Sequence, residues 1–375
     1  MIQSKEGLSQ IRFSPVEKNL FFPTLRKRID QYFSEKGISR HANAEMKLKT
    51  IILLSGYIIP FVVLLFSVNM AGWTALLLWT LMGISVAGIG MSVMHDANHG
   101  AYSSSQRIND LIGYSLNLLG GASFNWKIQH NLLHHTYTNV SSHDEDIKDR
   151  AIMKFNPHSK RKAVQSYQHI YAFFFYGLIT LYWVLAKDLV QYFLFRKIGM
   201  NKNTPAGNRM LLLRMTLMKL SYFSIMLVIP LWLLQKEAGI WIGGFLLMHF
   251  TAGIILTLVF QMAHSVEGTV HPLADEEGKI ESDWAIHQMQ TTVNFSRKNR
   301  FLSWYLGGLN YQVEHHLFPK ICHVHYPAIS EIVEATAREF GVPYLENKTF
   351  GQAFFSHVRF LRQLGSMPSF NEAIG

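Results

Sequence analysis

Residues 72–99 read GWTALLLWTLMGISVAGIGMSVMHDANH, an uncharged apolar run from Gly72 to Met94 that ends on His95 and His99, one helical turn apart. A helix needs ~20 apolar residues to cross the hydrocarbon core of a bilayer. The run is therefore long enough to span, and it delivers two imidazoles to the membrane surface. A second uncharged run lies just upstream, from Thr50 to Met70 (IILLSGYIIPFVVLLFSVNM), and the short break between the two predicts a tight hairpin. Leu220–Leu234 and Ile240–Met262, broken at Gln235–Gly239, predict another.

A further apolar segment, Tyr171–Phe195, is interrupted by Lys187 and Asp188 and flanked by Gln165, Gln168, His169 and Gln191. A charged pair in mid-span costs ~2.5–3.5 kcal/mol per residue on insertion scales. That predicts a helix lying along the interface, with its aromatic side chains at headgroup level. With only two hairpins crossing, residues 1–49, 95–215 and 263–375 share one side of the membrane. Those segments carry nearly every Lys and Arg, and the positive-inside bias puts them, both termini included, in the cytosol.

Composition agrees. Of 375 residues 49% are hydrophobic and 16% charged, against roughly 25% charged in an ordinary soluble domain. The net charge of +10 in a soluble protein would suggest nucleic acid. Here anionic lipid is the nearer counter-charge, and no nucleic-acid partner is expected. A single cysteine, Cys322, excludes an intramolecular disulfide and a cysteine-built metal cage. The polar N-terminal stretch shows no cleaved signal sequence. The organisation expected is a cytosolic N-terminal segment (1–48), a membrane domain (49–345) and a cytosolic C-terminal tail (346–375).

The chain holds eighteen histidines, and three clusters stand out: HDANH with His95 and His99, HNLLHH with His130, His134 and His135, and QVEHH with His315 and His316 after Gln312. A spacing of four places two imidazoles on one helix face, where both can address one metal. All three clusters fall on the same expected membrane face. Seven imidazoles exceed the four ligands of one tetrahedral zinc and suit two transition-metal ions, with iron, copper, nickel and zinc all compatible with nitrogen donors. Open positions on iron would admit dioxygen, which chemistry on an unactivated C–H bond requires.

In this order HDANH, HNLLHH and QVEHHLFP resemble the three histidine boxes of the membrane fatty acid desaturase family, over about residues 40–345. Gln312, where other branches have histidine, is similar to the front-end acyl desaturases, which act between an existing double bond and the carboxyl end. The resemblance implies an all-α membrane fold of four transmembrane helices with a cytosolic helical cap. It implies two irons held by His95, His99, His130, His134, His135, His315 and His316, with dioxygen as co-substrate and a fatty acyl chain as substrate. Such families carry one more histidine after the last span, and His264 fits that place; His287 is a weaker candidate for a supporting role. Eukaryotic front-end enzymes commonly carry a fused cytochrome domain with a His-Pro-Gly-Gly motif. The His-Pro pair here continues as His271-Pro272-Leu273. The expectation is therefore a separate electron donor, a ferredoxin or a small cytochrome with its reductase.

Other residues have plainer readings. Asp96 and Asn98 would support box one or cap its helix, and Glu314 would orient His315 or His316. Trp126, Trp284 and Trp304 read as interfacial anchors, the run His143–Asp146 as a solvated loop, and His323 and His325 as surface residues. The nearest rival function is a hydroxylase on the same scaffold. A zinc-dependent membrane hydrolase or receptor needs fewer histidines, and a metal transporter would place ionisable groups within its spans.

Overall fold

Four helices are long and apolar enough to cross a membrane: Ala44–Phe66, Gly72–Asn98, Pro205–Leu233 and Ala238–His264. They belong to a computed structural model that describes residues 11–15, 19–141, 143–149 and 152–366. The architecture is all-α and membrane-embedded, as the apolar runs imply.

The start of the third span departs from expectation. It begins at Pro205, where proline at the first turn and the Thr204 side chain accepting from Gly207 N set the N-terminus. The helix therefore carries Arg209, Arg214 and Lys219 ahead of its apolar stretch. Lys219 is buried and pairs with Asp188 at 2.9 Å. Asp188 also accepts from the backbone of Ala122 and the indole of Trp183. The Asp188 charge within Tyr171–Phe195 is thus neutralised by a partner that local sequence does not reveal. That segment is not a straight helix: Ala163–Gly177 and Ile179–Lys197 meet at a 53° bend.

The second and fourth spans approach closely because small residues line their contact. A Cβ on Gly83 would lie 2.6 Å from the Met248 carbonyl oxygen, and one on Gly244 would meet the Trp79 indole at 2.1 Å. Large side chains, Trp79, Trp241, Phe245 and Met248 among them, fill the remainder of this core.

A cap of shorter helices covers one end. Phe21–Lys36 buries Phe21, Leu25, Ile29 and Phe33 against Ile329 and Val333 of Tyr326–Glu339 and against Val313 and Leu317. The final described helix, Phe350–Ser366, docks on the bent segment through Tyr176 and His357, 2.8 Å apart. Two short parallel strand pairs, Arg12–Phe13 with Lys279–Ile280 and Asn294–Phe295 with Glu346–Asn347, tie chain ends to the cap.

Candidate metal centre

The first two histidine clusters arrive on irregular helices, the third on a short α-helix, Gln312–Leu317. The second span winds into a π-helical turn, Ile89–Val93, immediately before His95. Box two is itself π-helical over Lys127–His134. Single π turns often mark functional sites because they re-aim side chains. Gly307, at φ +61°, lets the loop before box three settle on the first of these turns; a Cβ there would lie 2.5 Å from the Met91 carbonyl oxygen.

These elements bring eight imidazoles together, all buried. Two separate donor groups form, bridged by a third, His135 with His315 and His316, that shares a histidine with each. His95, His99, His130 and His315 can point one ring nitrogen each into a common space, and His134, His264 and His316 do the same beside it. His135 sits between them, with ring centroids 4.6 Å from His315, 4.3 Å from His316 and 4.7 Å from His99. The structure thus joins His264 to the box histidines. Box one sends both its histidines to one group, as the spacing of four implies. Box two does not: His130 and His134 fall in different groups although their rings stack with centroids 5.3 Å apart.

The donor set fits metal ions. Nε2 of His99, His134 and His315 and Nδ1 of His135 are buried with no hydrogen-bond partner among the described residues. Nε2 of His95 and His130 stand 3.1 Å apart. Buried polar atoms without partners cost ~1–3 kcal/mol each, which a shared cation would relieve. Burial, then the neighbouring imidazoles, lowers His130, His135, His315 and His316 well below the usual histidine range. They are therefore neutral, as metal ligands must be.

The far nitrogens are held as metal-bound imidazoles require. His134 Nδ1 donates to Asp144 at 3.0 Å, His316 Nδ1 meets Gln288 Oε1 at 2.8 Å, His315 Nδ1 meets Tyr326 OH at 3.2 Å, and His264 Nδ1 donates to the Thr291 carbonyl at 3.3 Å. Burial alone would lower His134, but the Asp144 carboxylate overrides it and raises its pKa. Gln312 closes the three-histidine group, its carboxamide 2.8 Å from His264 Nε2 and 3.3 Å from His316 Nε2.

Several sequence readings need correction. Asp144 is no part of a solvated loop: it is buried, and besides His134 it accepts from Asn139 N. Trp126 is buried and stacks on His130 at 4.5 Å rather than anchoring the interface. His323 and His325 are buried too. His323 Nδ1 lies 2.7 Å from Asp96 Oδ2 and its Nε2 2.7 Å from Lys49 Nζ, so Asp96 turns to His323 and Cys322 instead of to a box histidine. Glu314 likewise faces away, bonded to Asn294 and Tyr344 at 2.8 Å each; burial pushes its carboxyl up to about 7. His287 lies outside both groups, its ring tilted against Phe13 at 4.9 Å, and the supporting role falls to its neighbour Gln288. Asn98 links the boxes through its backbone, which accepts from Asn131.

A cavity of about 280 Å³ runs from the four-histidine group into the spans. Its wall includes His95, His130 and Trp126 together with Met94, Phe260 and Val184.

Fold and site together define a multi-pass membrane protein with a histidine-built metal centre beside an apolar cavity. The fatty acid desaturase family model matches residues 71–348. The chain is 34% identical over 348 residues to sn-1 linoleoyl-lipid 6-desaturase of Arthrospira platensis, covering 93% of both chains. It is 34% identical to the protein of the same description from Synechocystis sp., covering 96% of this chain and 99% of that one. It is also 34% identical to acyl-lipid (8-3)-desaturase of Physcomitrium patens, over 95% of this chain and 74% of the other. The chain belongs to the fatty acid desaturase family. It is accordingly an oxidoreductase that desaturates fatty acyl chains at an iron centre in the membrane.

Proposed function

We propose that the protein is a front-end desaturase of lipid-bound acyl chains, with two irons, dioxygen as oxidant and a separate protein as electron donor. The observation that carries this reading is the pair of adjoining histidine groups, the first of which puts His95 and His130 on the wall of an apolar cavity. The acyl-lipid substrate is supported by the relatives' descriptions and the front-end position by Gln312 in box three.

His95, His99, His130 and His315 would hold one iron and His134, His264 and His316 the other, with His135 between them and Gln312 beside the second. When bound, the irons supply activation of dioxygen for removal of two hydrogens from adjacent acyl carbons. The balance is one dioxygen, two substrate hydrogens, two donor electrons and two protons giving one alkene and two waters. The protein's own contribution is placement. Asp144, Gln288 and Tyr326 fix ring orientation, while the cavity wall excludes water and sets which carbons pass His95 and His130. With four crossings the three boxes would share one face, and the basic residues outside the spans favour the cytosol for that face and for both termini.

Lipid profiling of a desaturase-deficient host tests the proposal. Expression should create acyl chains two mass units lighter, unsaturated on the carboxyl side of an existing double bond, and His315→Ala should create none. A product sixteen mass units heavier would make the enzyme a hydroxylase instead.

A further inference from the structure

The eight histidines are buried, so electrons must reach them through protein. One partly exposed aromatic side chain of the cap touches a box histidine directly: Trp284 donates its indole N–H to the His135 carbonyl at 3.3 Å. Phe22 packs edge-on against Trp284 at 5.5 Å and lies 5.8 Å from Phe318, and all three are half-buried. Phe260 also contacts two of the histidines, but it lies within the fourth span on the cavity wall, where a soluble protein has no access. Trp284 leads to His135, the residue between the two donor groups.

The surface around these rings carries unpaired positive charge. Arg26 stands one helical turn beyond Phe22 on Phe21–Lys36, and Lys320 two residues beyond Phe318; both are exposed. Among the described residues neither enters an ion pair, unlike Arg28 with Glu339 and Arg40 with Asp30 on the same helix flank. Asp283, next to Trp284, uses its carboxylate to cap the Trp284 helix.

We propose that the Phe22–Trp284–Phe318 patch, ringed by Arg26 and Lys320, is where a small acidic one-electron carrier protein docks and delivers electrons through Trp284 toward His135. The inference rests on the reading that a separate donor serves this centre. Each docked carrier would give up one electron, reducing one iron held by these histidines from ferric to ferrous, so a turnover that needs two donor electrons would use two carriers. Redox encounters of this kind bury little area and are steered by charge, so a small half-exposed aromatic patch with flanking cations is sufficient.

The test uses the full-length protein in detergent with an acidic plant-type [2Fe–2S] ferredoxin as probe. Binding is measured at rising ionic strength, together with the rate at which reduced ferredoxin is reoxidised. The double variant Arg26→Glu/Lys320→Glu should associate roughly ten-fold or more slowly, with a flatter salt dependence. Its iron content and its turnover with dithionite should match the native protein. Trp284→Leu should reoxidise ferredoxin more slowly even at saturating ferredoxin, where any weakening of docking no longer limits the rate. Unchanged binding in the double variant, or unchanged reoxidation in Trp284→Leu, would overturn the inference. Native protein that makes no alkene even with dithionite would overturn the desaturase reading itself.

Discussion

Asp144→Asn replaces a carboxylate by a group of the same shape and tests whether the acidic run serves the metal centre. In the native protein Oδ2 accepts from His134 Nδ1 and from Asn139 N, each at 3.0 Å, and Oδ1 accepts from Asp146 N at 3.0 Å. An amide has one oxygen, so in either orientation its NH₂ group faces a backbone or ring N–H. Turned to keep His134 and Asn139, it leaves Asp146 N without an acceptor, a cost of ~1–3 kcal/mol. It also removes the negative charge that raises His134 and strengthens its Nε2 as a donor. Losing such a supporting contact typically costs ~10–100-fold in metal affinity, or roughly 1.4–2.8 kcal/mol. Chelator competition should therefore strip one iron per chain from the variant at roughly ten-fold lower chelator or below. The second iron, held away from His134, should resist as in the native protein. Loss of both irons together, or of neither, would refute the assignment of His134 and Asp144 to one of two separate groups.

Other outcomes follow from the same geometry. His323→Ala removes the imidazole that links Asp96 to Lys49, leaving Asp96 with the Cys322 thiol and the backbone N–H at 323, and should lower thermal stability by ~1–3 kcal/mol; His325→Ala, whose bond is to the His41 carbonyl, should stay active, and the reverse ranking would count against the network. Metal-free protein should lose stability on acidification. His130, His135, His315 and His316 titrate well below 6.5 when folded and near 6.5 when unfolded, so the unfolded chain takes up more protons as pH falls through 6.5. A flat melting temperature from pH 7 to 5 in that protein would contradict their burial as neutral rings. Cysteines placed at His158 and Lys202, both exposed, in a Cys322→Ser background should label from one membrane face. Labelling from opposite faces would mean that the bent segment crosses and the topology proposed here fails.

The parts of this molecule legible in sequence are those written in consecutive residues. Long uncharged runs located the spans because hydrophobic length is a local property, and the box spacing located the histidines. Where the third span begins was not legible, because Lys219 is accommodated by Asp188 from the bent segment. The division of box two was hidden for a different reason: His130 and His134 share a helix face and stack 5.3 Å apart, and the group each joins is set by partners distant in sequence, His95, His99 and His315 for one and His264 and His316 for the other. The supporting residues lay deeper still. Gln288 reaches His316 across 28 positions and His323 reaches Asp96 across 227, and no periodicity marks either. Asp144 was visible as part of an acidic run, yet its burial against His134 depends on the turn at Asn139, which sits at φ +58°. Glu314 carried the opposite lesson, a carboxylate beside two box histidines in sequence that folds toward Tyr344.

The central claim is that eight convergent histidines hold two irons in an enzyme that desaturates acyl chains. Metal analysis of purified, catalytically competent protein tests it most directly. The donor set of two adjoining groups predicts about two irons per chain, falling to about one in His264→Ala, a variant that removes a ligand from only one group. Stoichiometric zinc with no iron, in protein that still converts its lipid substrate, would contradict it.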